Sequence, residues 1–230
     1  MTLLCIETST HVCSAALCKD GAVIEQLIER EDGNHARLLP RYIEQLLHTA
    51  KERKLSIDAV ALSEGPGSYT GLRIGTSTAK GLCYGLNVPL IPVPTLEILC
   101  AAAKEQADID SSALLCPMID ARRMEVYTAM FGSERTGEKA KAVVVESADS
   151  LNAQPSSLNI YYFGDGAEKC QGVLTKPNWH FIPNIVPEAR YMARLAEQER
   201  ELKKGNDLAY YEPFYLKEFV AAQSHVKGLN

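Results

Sequence analysis

Apolar and polar residues alternate along this chain in a pattern that predicts short strands and amphipathic helices, set out twice in the same order. The first half predicts three strands at 3–9, 13–21 and 22–32, then a helix at 35–53, a strand at 57–64, a helix at 70–86, a strand at 88–93 and a helix at 94–106. The second half predicts strands at 113–120, 125–132 and 140–147, a helix at 147–153, strands at 159–165 and 179–183, and a helix at 188–204. Three strands followed by alternating helices and strands, twice over, indicate an α/β fold with two related lobes.

A polar stretch between the two halves marks the join. The segment KEQADIDSS at 104–112 is poor in apolar residues, so we divide the chain into a first lobe, residues 1–106, and a second lobe, residues 107–230. The last helix belongs to the second lobe by sequence but can pack back on the first.

Composition limits the function classes. The net charge of −5 predicts no general attraction to nucleic acid, and no segment has the length and hydropathy of a membrane span or a secretory signal. Seven cysteines without a C-x-x-C pair indicate buried, reduced thiols rather than disulfides or a zinc site. We therefore expect a cytoplasmic protein without a membrane partner.

A glycine-rich loop, SEGPGSYTGLRIG at 63–75, follows a predicted strand and opens a predicted helix, which is the setting of many phosphate-binding loops. Its spacing matches neither the Walker A pattern, nor the dinucleotide fingerprint, nor a nucleophile elbow. What remains is a tight turn with Ser68 or Thr70 as the helix N-cap.

The helix after this loop contains four glycines, at 71, 75, 81 and 85. Each interior glycine costs roughly 0.5–1 kcal/mol relative to alanine, so the set needs a physical reason. Small residues spaced by four allow another backbone to approach closely. Either the helix lies tightly on its own sheet, or it meets a helix of a partner.

The helix at 35–53 has a wide apolar face. Its apolar residues fill an arc of roughly 180°, whereas a helix on one sheet needs a stripe of only about 100°. We predict that the surplus arc and the glycine-rich helix together meet a partner in a four-helix contact, the alternative being that another element of the same chain covers the arc. The predicted interface residues are Leu39, Ile43, Leu46, Leu47, Gly71, Gly75, Thr78, Gly81, Leu82 and Gly85.

Five segments together resemble the bacterial TsaB family, formerly called YeaZ. They are ETST, SEGPGSYTGLRIGTSTAKGL, VPTLEIL, DARRMEVYTAMF and YEPFYLKE, and they occur in order along nearly the whole chain. The resemblance implies the two-lobed fold shared by actin, Hsp70 and sugar kinases. It also implies a role in making threonylcarbamoyladenosine beside the anticodon of tRNAs that read ANN codons.

The same resemblance implies a non-catalytic subunit. In that family TsaB pairs with the transferase TsaD, an ATPase partner, TsaE, joins them, and tRNA is reached only through the complex. Without a partner we expect a homodimer through the same surface. The rival functions are a stand-alone small-molecule kinase or ATPase of the same fold and a structural homodimer without an enzyme partner.

The histidine pattern agrees with a subunit that lacks a metal site. Catalytic relatives carry H-x-x-x-H on the helix after the third strand, but here His35 is followed four residues later by Leu39. No other histidine has a partner at i+3 or i+4, and no peptidase or hydrolase motif is present. We expect no metal and no catalytic residue.

Nucleotide binding is the remaining question. Actin-like ATPases place acidic residues at the ends of matching strands in the two lobes, and here Glu7, with Thr8 and Ser9, and Asp120 take those places. Either these residues form vestigial phosphate loops, or Glu7 and Asp120 only hold strand-end turns through hydrogen bonds. We expect no required cofactor and leave weak ATP or ADP binding open.

Overall fold

The first lobe contains a five-stranded mixed sheet. The computed structural model of the chain describes residues 1–30, 34–132, 139–151, 157–202 and 208–217. The strands of the first sheet are β1 (Thr2–Glu7), β2 (Cys13–Lys19), β3 (Ala22–Glu29), β4 (Ala59–Gly65) and β5 (Leu90–Pro94). Their order is β3–β2–β1–β4–β5; the first three form an antiparallel meander, and β4 and β5 run parallel to β1.

The second lobe repeats this sheet. Its strands are β6 (Leu114–Asp120), β7 (Glu125–Thr128), β8 (Lys141–Val144), β9 (Ile160–Phe163) and β10 (Trp179–Phe181). The order β8–β7–β6–β9–β10 is again third, second, first, fourth and fifth along the lobe, with the antiparallel and parallel pairings of the first sheet. The predicted two-lobed α/β fold is confirmed.

Local turn chemistry explains the first hairpin. Asp20 and Gly21 connect β2 to β3 with φ angles of 50° and 75°. Two consecutive residues with positive φ are typical of the mirror-image turns whose twist suits a two-residue hairpin. Residues 20–21, placed at the end of the strand predicted at 13–21, therefore form the hairpin turn between β2 and β3.

Four α-helices cover the two faces of the first sheet. They are α1 (His35–Glu52), α2 (Tyr69–Leu86), α3 (Thr95–Gln106) and α4 (Met192–Leu202). Leu4 and Ile6 of β1 belong to the core with α1 and α2, whereas Leu3 and Cys5 belong to the core with α3 and α4. Because successive side chains of a strand point to opposite faces, β1 is buried on both sides by two different helix pairs.

Two predicted helices and one predicted strand differ from the structure by more than the small shifts seen at the ends of the other elements. The helix predicted at 147–153 is a 3₁₀ turn, Ala148–Leu151, in which the Ser150 hydroxyl accepts hydrogen bonds from the Glu146 and Ser147 amides. Such side-chain bonds compete with helical backbone bonds. The helix predicted at 188–204 begins as a 3₁₀ turn, and its last two residues lie outside the described residues, as do residues 152–153. The strand predicted at 125–132 ends at Thr128.

The predicted burial of the thiols is confirmed. All seven cysteines are buried, and none is joined to another by a disulfide. Burial raises the pKa of the Cys13 thiol to about 12 and that of the Cys83 thiol to about 11, so both remain protonated at neutral pH. They contribute to packing and not to nucleophilic chemistry.

Candidate functional site

The residues that follow β1 and β6 approach each other at Asp165. The backbone N–H of Asp120, the last residue of β6, donates to Asp165 Oδ1 at 2.9 Å. The other carboxylate oxygen of Asp165 lies 3.5 Å from Nδ1 of His11, which belongs to the loop after β1. Asp165 therefore connects the two predicted loop positions, and the sequence analysis did not identify it.

Glu7 is completely buried at the end of β1. Its Oε1 accepts hydrogen bonds from the Ser9 backbone N–H and hydroxyl, both at 2.5 Å, whereas its Oε2 accepts none from the residues that the structure describes. Burial raises the pKa of the Glu7 carboxyl to about 7, against the opposing effect of the two bonds from Ser9. Glu7 is thus a buried acid whose hydrogen bonds with Ser9 stabilise the loop after β1.

The donors of this loop are largely used inside the chain. Thr8 donates its backbone N–H to Ser63 Oγ at 3.4 Å and its hydroxyl to the Gly71 carbonyl at 2.8 Å. Ser9 donates to Glu7, as described above, and its carbonyl accepts from the Ser68 N–H at 2.6 Å. A phosphate would have to displace these contacts to bind Thr8 and Ser9.

Asp120 differs from Glu7 in exposure. Its Oδ1 pairs with Lys169 and accepts a bond of 3.3 Å from the Arg122 N–H, and its side chain is about half exposed at 47%. Arg122 and Arg123 then form a tight turn with positive φ angles of 70° and 47°. The structure brings Glu7, Thr8 and Ser9 together, and places Asp120 on the second lobe across Asp165.

The predicted interface residues on α1 are mostly internal. Leu39, Ile43 and Leu46 are buried in the core between α1, α2 and the first sheet, and Leu47 is half-buried at its edge. On the side toward β3, Gln45 Nε2 and Thr49 Oγ1 donate to the Glu25 carboxylate, both at 2.6 Å. Much of the apolar arc of α1 therefore contacts its own lobe.

The four glycines of α2 fall into two groups. A methyl group on Gly71 would lie 2.1 Å from the Thr8 carbonyl oxygen, and one on Gly75 would lie 2.3 Å from the Thr8 hydroxyl. A methyl group on Gly81 or Gly85 would meet no described residue within 4 Å. The first pair admits the loop after β1, as the helix–sheet alternative required, and the second pair is uncovered by the part of the chain that the structure describes.

The open end of α2 carries an aromatic residue that the sequence analysis missed. Tyr84 is 86% exposed, beside Leu86, which is 40% exposed, while Thr78 and Leu82 are half-buried. The sequence feature that could have identified it is a single tyrosine between two glycines, Gly81 and Gly85, of an amphipathic helix. We call Thr78, Gly81, Leu82, Tyr84 and Gly85 the outer surface of α2.

A C-terminal segment at 208–217 packs along the same helix. Lys80 Nζ donates to the carbonyls of Ala209 and Tyr211 at 3.0 and 2.9 Å, and the Phe214 N–H donates to the Glu64 carbonyl at 2.7 Å. The ring of Tyr215 lies 4.9 Å from that of Tyr69 at the start of α2. The glycine-rich loop is therefore enclosed by the β1 loop and this segment, and Ser68 caps α2 by accepting from the Gly71 N–H at 3.3 Å.

The histidine that begins α1 has a structural contact. His35 Nε2 lies 3.1 Å from the Val12 carbonyl, to which it can only donate. Within the described ranges no three His, Cys, Asp or Glu side chains are grouped so as to hold a metal ion. The helices described there also include none long and apolar enough to cross a bilayer.

Comparison with known proteins gives one consistent relationship. Residues 25–210 match the family model of TsaD, tRNA N6-adenosine threonylcarbamoyltransferase. The chain is 30% identical to the tRNA threonylcarbamoyladenosine biosynthesis protein TsaB of Haemophilus influenzae, over 96% of this chain and 95% of that protein. It is 31% identical to TsaB of Escherichia coli, over 96% of each chain. YeaZ from Pseudomonas aeruginosa superimposes with a TM-score of 0.77 at 27% identity, covering 94% of this chain and 99% of that one.

Proposed function

Because the chain belongs to the TsaB (YeaZ) family, we propose that it acts in tRNA threonylcarbamoyladenosine biosynthesis as the partner subunit of a TsaD-type transferase. The modified base would be the adenosine beside the anticodon of tRNAs that read ANN codons. A TsaE-type ATPase would join the pair, and tRNA would be reached only through the complex, in the cytoplasm.

The observation that carries the partner role is the outer surface of α2. Gly81 and Gly85 leave the helix backbone uncovered, and Tyr84 is almost fully exposed between them. Tyrosine is among the residues that most often dominate the energy of protein interfaces, and glycine allows a second helix to approach closely. This surface has the features of an interface centre, and the described residues of the single chain leave it uncovered.

The family relationship indicates which protein would bind the outer surface of α2. Most of this chain matches the TsaD family model, so a TsaD-type partner would present a related helix pair. Two related chains can pack such pairs about an approximate twofold axis, which produces a four-helix contact. A second copy of this chain could use the same geometry, and we propose a homodimer when the partner is absent.

The hydrogen bonds of the loop after β1 support a non-catalytic role. A stand-alone kinase would need loop donors for phosphate, but the Thr8 hydroxyl and the Ser9 amide and hydroxyl already bind within the chain. We therefore propose that the subunit requires no cofactor, and that any binding of ATP or ADP at this loop is weak because it must compete with these contacts.

Association measurements test the interface. We expect Gly81→Leu and Tyr84→Ala each to weaken binding to a TsaD-type partner by roughly 2 kcal/mol, about thirtyfold in Kd, because both change the centre of the contact. Gly172→Leu is the matched control, since that glycine of the second lobe is exposed and also has nothing within 4 Å. Calorimetric titration of the folded variants gives the Kd, and equal affinities for all three variants and the unaltered chain would disprove the interface.

A reconstituted assay tests the division of roles. With labelled threonine, ATP and tRNA, modified tRNA should form only when the TsaD-type partner and the enzyme that supplies the threonylcarbamoyl donor are present. Product formed by this chain in the absence of the TsaD-type partner would show that it is itself a transferase.

A further inference from the structure

The exposed apolar side chains of the described residues are concentrated at α2. Six large apolar or aromatic side chains among those residues are at least 40% exposed, and four of them lie on α2 or on the C-terminal segment, residues 208–217. These four are Tyr84 at 86%, Leu86 at 40%, Tyr210 at 84% and Phe214 at 43%. A single exposed apolar residue is ordinary on a protein surface, but a group of them marks a place that another molecule covers.

The C-terminal segment is held against the first lobe. Leu208 and Tyr211 are partly buried against the core that α1 and α2 share. Lys80 Nζ donates to the carbonyls of Ala209 and Tyr211 at 3.0 and 2.9 Å. Tyr210 lies between these two residues, so its backbone is fixed beside α2 while its side chain is exposed.

The outer surface of α2 lies between this segment and α1. Successive helical residues are about 100° apart, so Lys80 and Leu82 lie on opposite flanks of α2 and Gly81 is exposed between them. Leu82 packs against the core shared with α1, whereas Lys80 holds the C-terminal segment. A helix with its side chains is about 10–12 Å wide, so one that is seated on Gly81 would contact the elements on both flanks.

The outer surface of α2 is too small to support a stable complex by itself. A stable contact buries roughly 800 Å² on each partner, whereas one fully buried aromatic side chain supplies about 150–250 Å². This surface has a single aromatic residue, Tyr84, and much of the apolar arc of α1 is already buried within the lobe. A partner must therefore contact a further element, and the C-terminal segment offers the exposed rings of Tyr210 and Phe214.

We propose that the C-terminal segment is the second half of the surface that binds the TsaD-type partner, with Tyr210 in contact with that partner. Lys80 is the positioning residue, because it fixes the segment beside the outer surface of α2 without itself touching the partner. The inference rests on the partner role proposed above. We assign the segment to the same occupant because it is continuous with the surface already assigned to that partner.

Titration of the folded chain with a TsaD-type protein tests the contact. We expect Tyr210→Ala to raise the Kd roughly tenfold, as expected when an aromatic residue is removed from an interface. Val144→Ala is the matched control, because it removes another exposed apolar side chain from the edge strand β8 of the second lobe. Its Kd should equal that of the unaltered chain.

A second set of variants tests the positioning role of Lys80. Lys80→Met keeps an unbranched apolar side chain but removes the ammonium group, so it should release the segment and raise the Kd as much as Tyr210→Ala does. Lys80→Arg keeps charged donors and should restore most of the affinity. Because both residues act through one segment, combining Lys80→Met with Tyr210→Ala should raise the Kd no further than either change alone.

Hydrogen exchange gives a readout that needs no substitution. Adding the TsaD-type protein should slow amide exchange in residues 81–86 and 208–217 and leave that of β8 unchanged. Protection of 81–86 without protection of 208–217 would place the segment outside the contact.

The outcomes separate this inference from the proposed function. No binding by the unaltered chain would overturn both. A Kd raised by Tyr84→Ala but not by Tyr210→Ala or Lys80→Met would overturn this inference alone, and additive losses in the double variant would overturn the role of Lys80. Loss of self-association in Tyr210→Ala, with an unchanged Kd for the TsaD-type protein, would assign the segment to a second copy of this chain and would also overturn the proposal.

Discussion

The first turns of α2 lie in the interior of the first lobe, whereas its last turns lie at the surface. At the inner end, Gly71 and Gly75 are buried against Thr8. At the outer end, Gly81 and Gly85 face open space on either side of an exposed tyrosine. Two glycines four residues apart therefore let the loop after β1 pack closely against one end of α2. Two more at the same spacing leave the other end exposed, where a second molecule can bind.

The two ends of α2 should differ in the substitutions that they tolerate. The inner end, with Glu7, Thr8, Ser63 and Ser68, is a set of buried hydrogen bonds in which each group depends on the next. At the outer end, Gly81, Tyr84 and Gly85 are exposed, whereas Cys83 on the opposite side of the helix is buried in the core. Substitutions should consequently affect stability at the inner end and association at the outer end.

The largest expected effect is the substitution Gly71→Ala. The new methyl group would lie 2.1 Å from the Thr8 carbonyl oxygen, a backbone atom that can move only with the β1 loop. We expect a loss of about 3 kcal/mol or more in the free energy of unfolding, as for other overpacked buried positions. Urea denaturation followed by circular dichroism measures it.

Gly85→Ala is the matched control for this prediction. It adds the same methyl group to the same helix at a position with nothing within 4 Å. If both variants were as stable as the unaltered chain, the close approach of α2 to the β1 loop would not exist in solution.

Much of this fold follows from the sequence for clear physical reasons. The alternation of apolar residues set the strands and helices, and the Asp20–Gly21 turn and the Ser68 cap use residues with strong local preferences. The 3₁₀ turn at Ala148–Leu151 was predicted as a longer helix because the periodicity of so few residues cannot separate the two.

The candidate site was less accessible to sequence reasoning. The stripe of glycines was identified, but sequence alone could not separate Gly75 from Gly81, because the contact with Thr8 joins residues far apart in the chain. The role of Asp165 between the lobes was missed for the same reason, since it pairs with His11. Tertiary contacts of this kind carry no local signal.

An intermediate effect is expected from Glu7→Gln, and it should depend on pH. The pKa of the Glu7 carboxyl is raised from 4.5 to about 7 in the folded chain, so folding favours its protonated form. Its contribution to stability is complete below about pH 4.5 and is lost as the pH rises through about 7, in total roughly 3 kcal/mol. Glutamine does not titrate, so the variant should lack this loss.

The measurement is the free energy of unfolding of both chains between pH 5 and 8. The stability of Glu7→Gln relative to the unaltered chain should increase across this range, while that of Gly85→Ala, which changes no charge, should remain constant. Parallel curves for Glu7→Gln and the unaltered chain would show that the Glu7 carboxyl titrates alike in the folded and unfolded states.

The smallest expected effect comes from Gly81→Ala, and its sign separates the two ends of α2. Alanine is roughly 0.5–1 kcal/mol more favourable than glycine inside a helix, and nothing lies within 4 Å to oppose the methyl group, so thermal unfolding should show a more stable chain. If a partner helix approaches this position closely, the same methyl group should weaken association, which sedimentation of the chain with a TsaD-type partner measures. A gain in stability together with a loss of association identifies a position that is open in the single chain and filled in the complex. A loss of stability would place Gly81 with the inner glycines, and unchanged association would move the closest approach of the partner away from this turn.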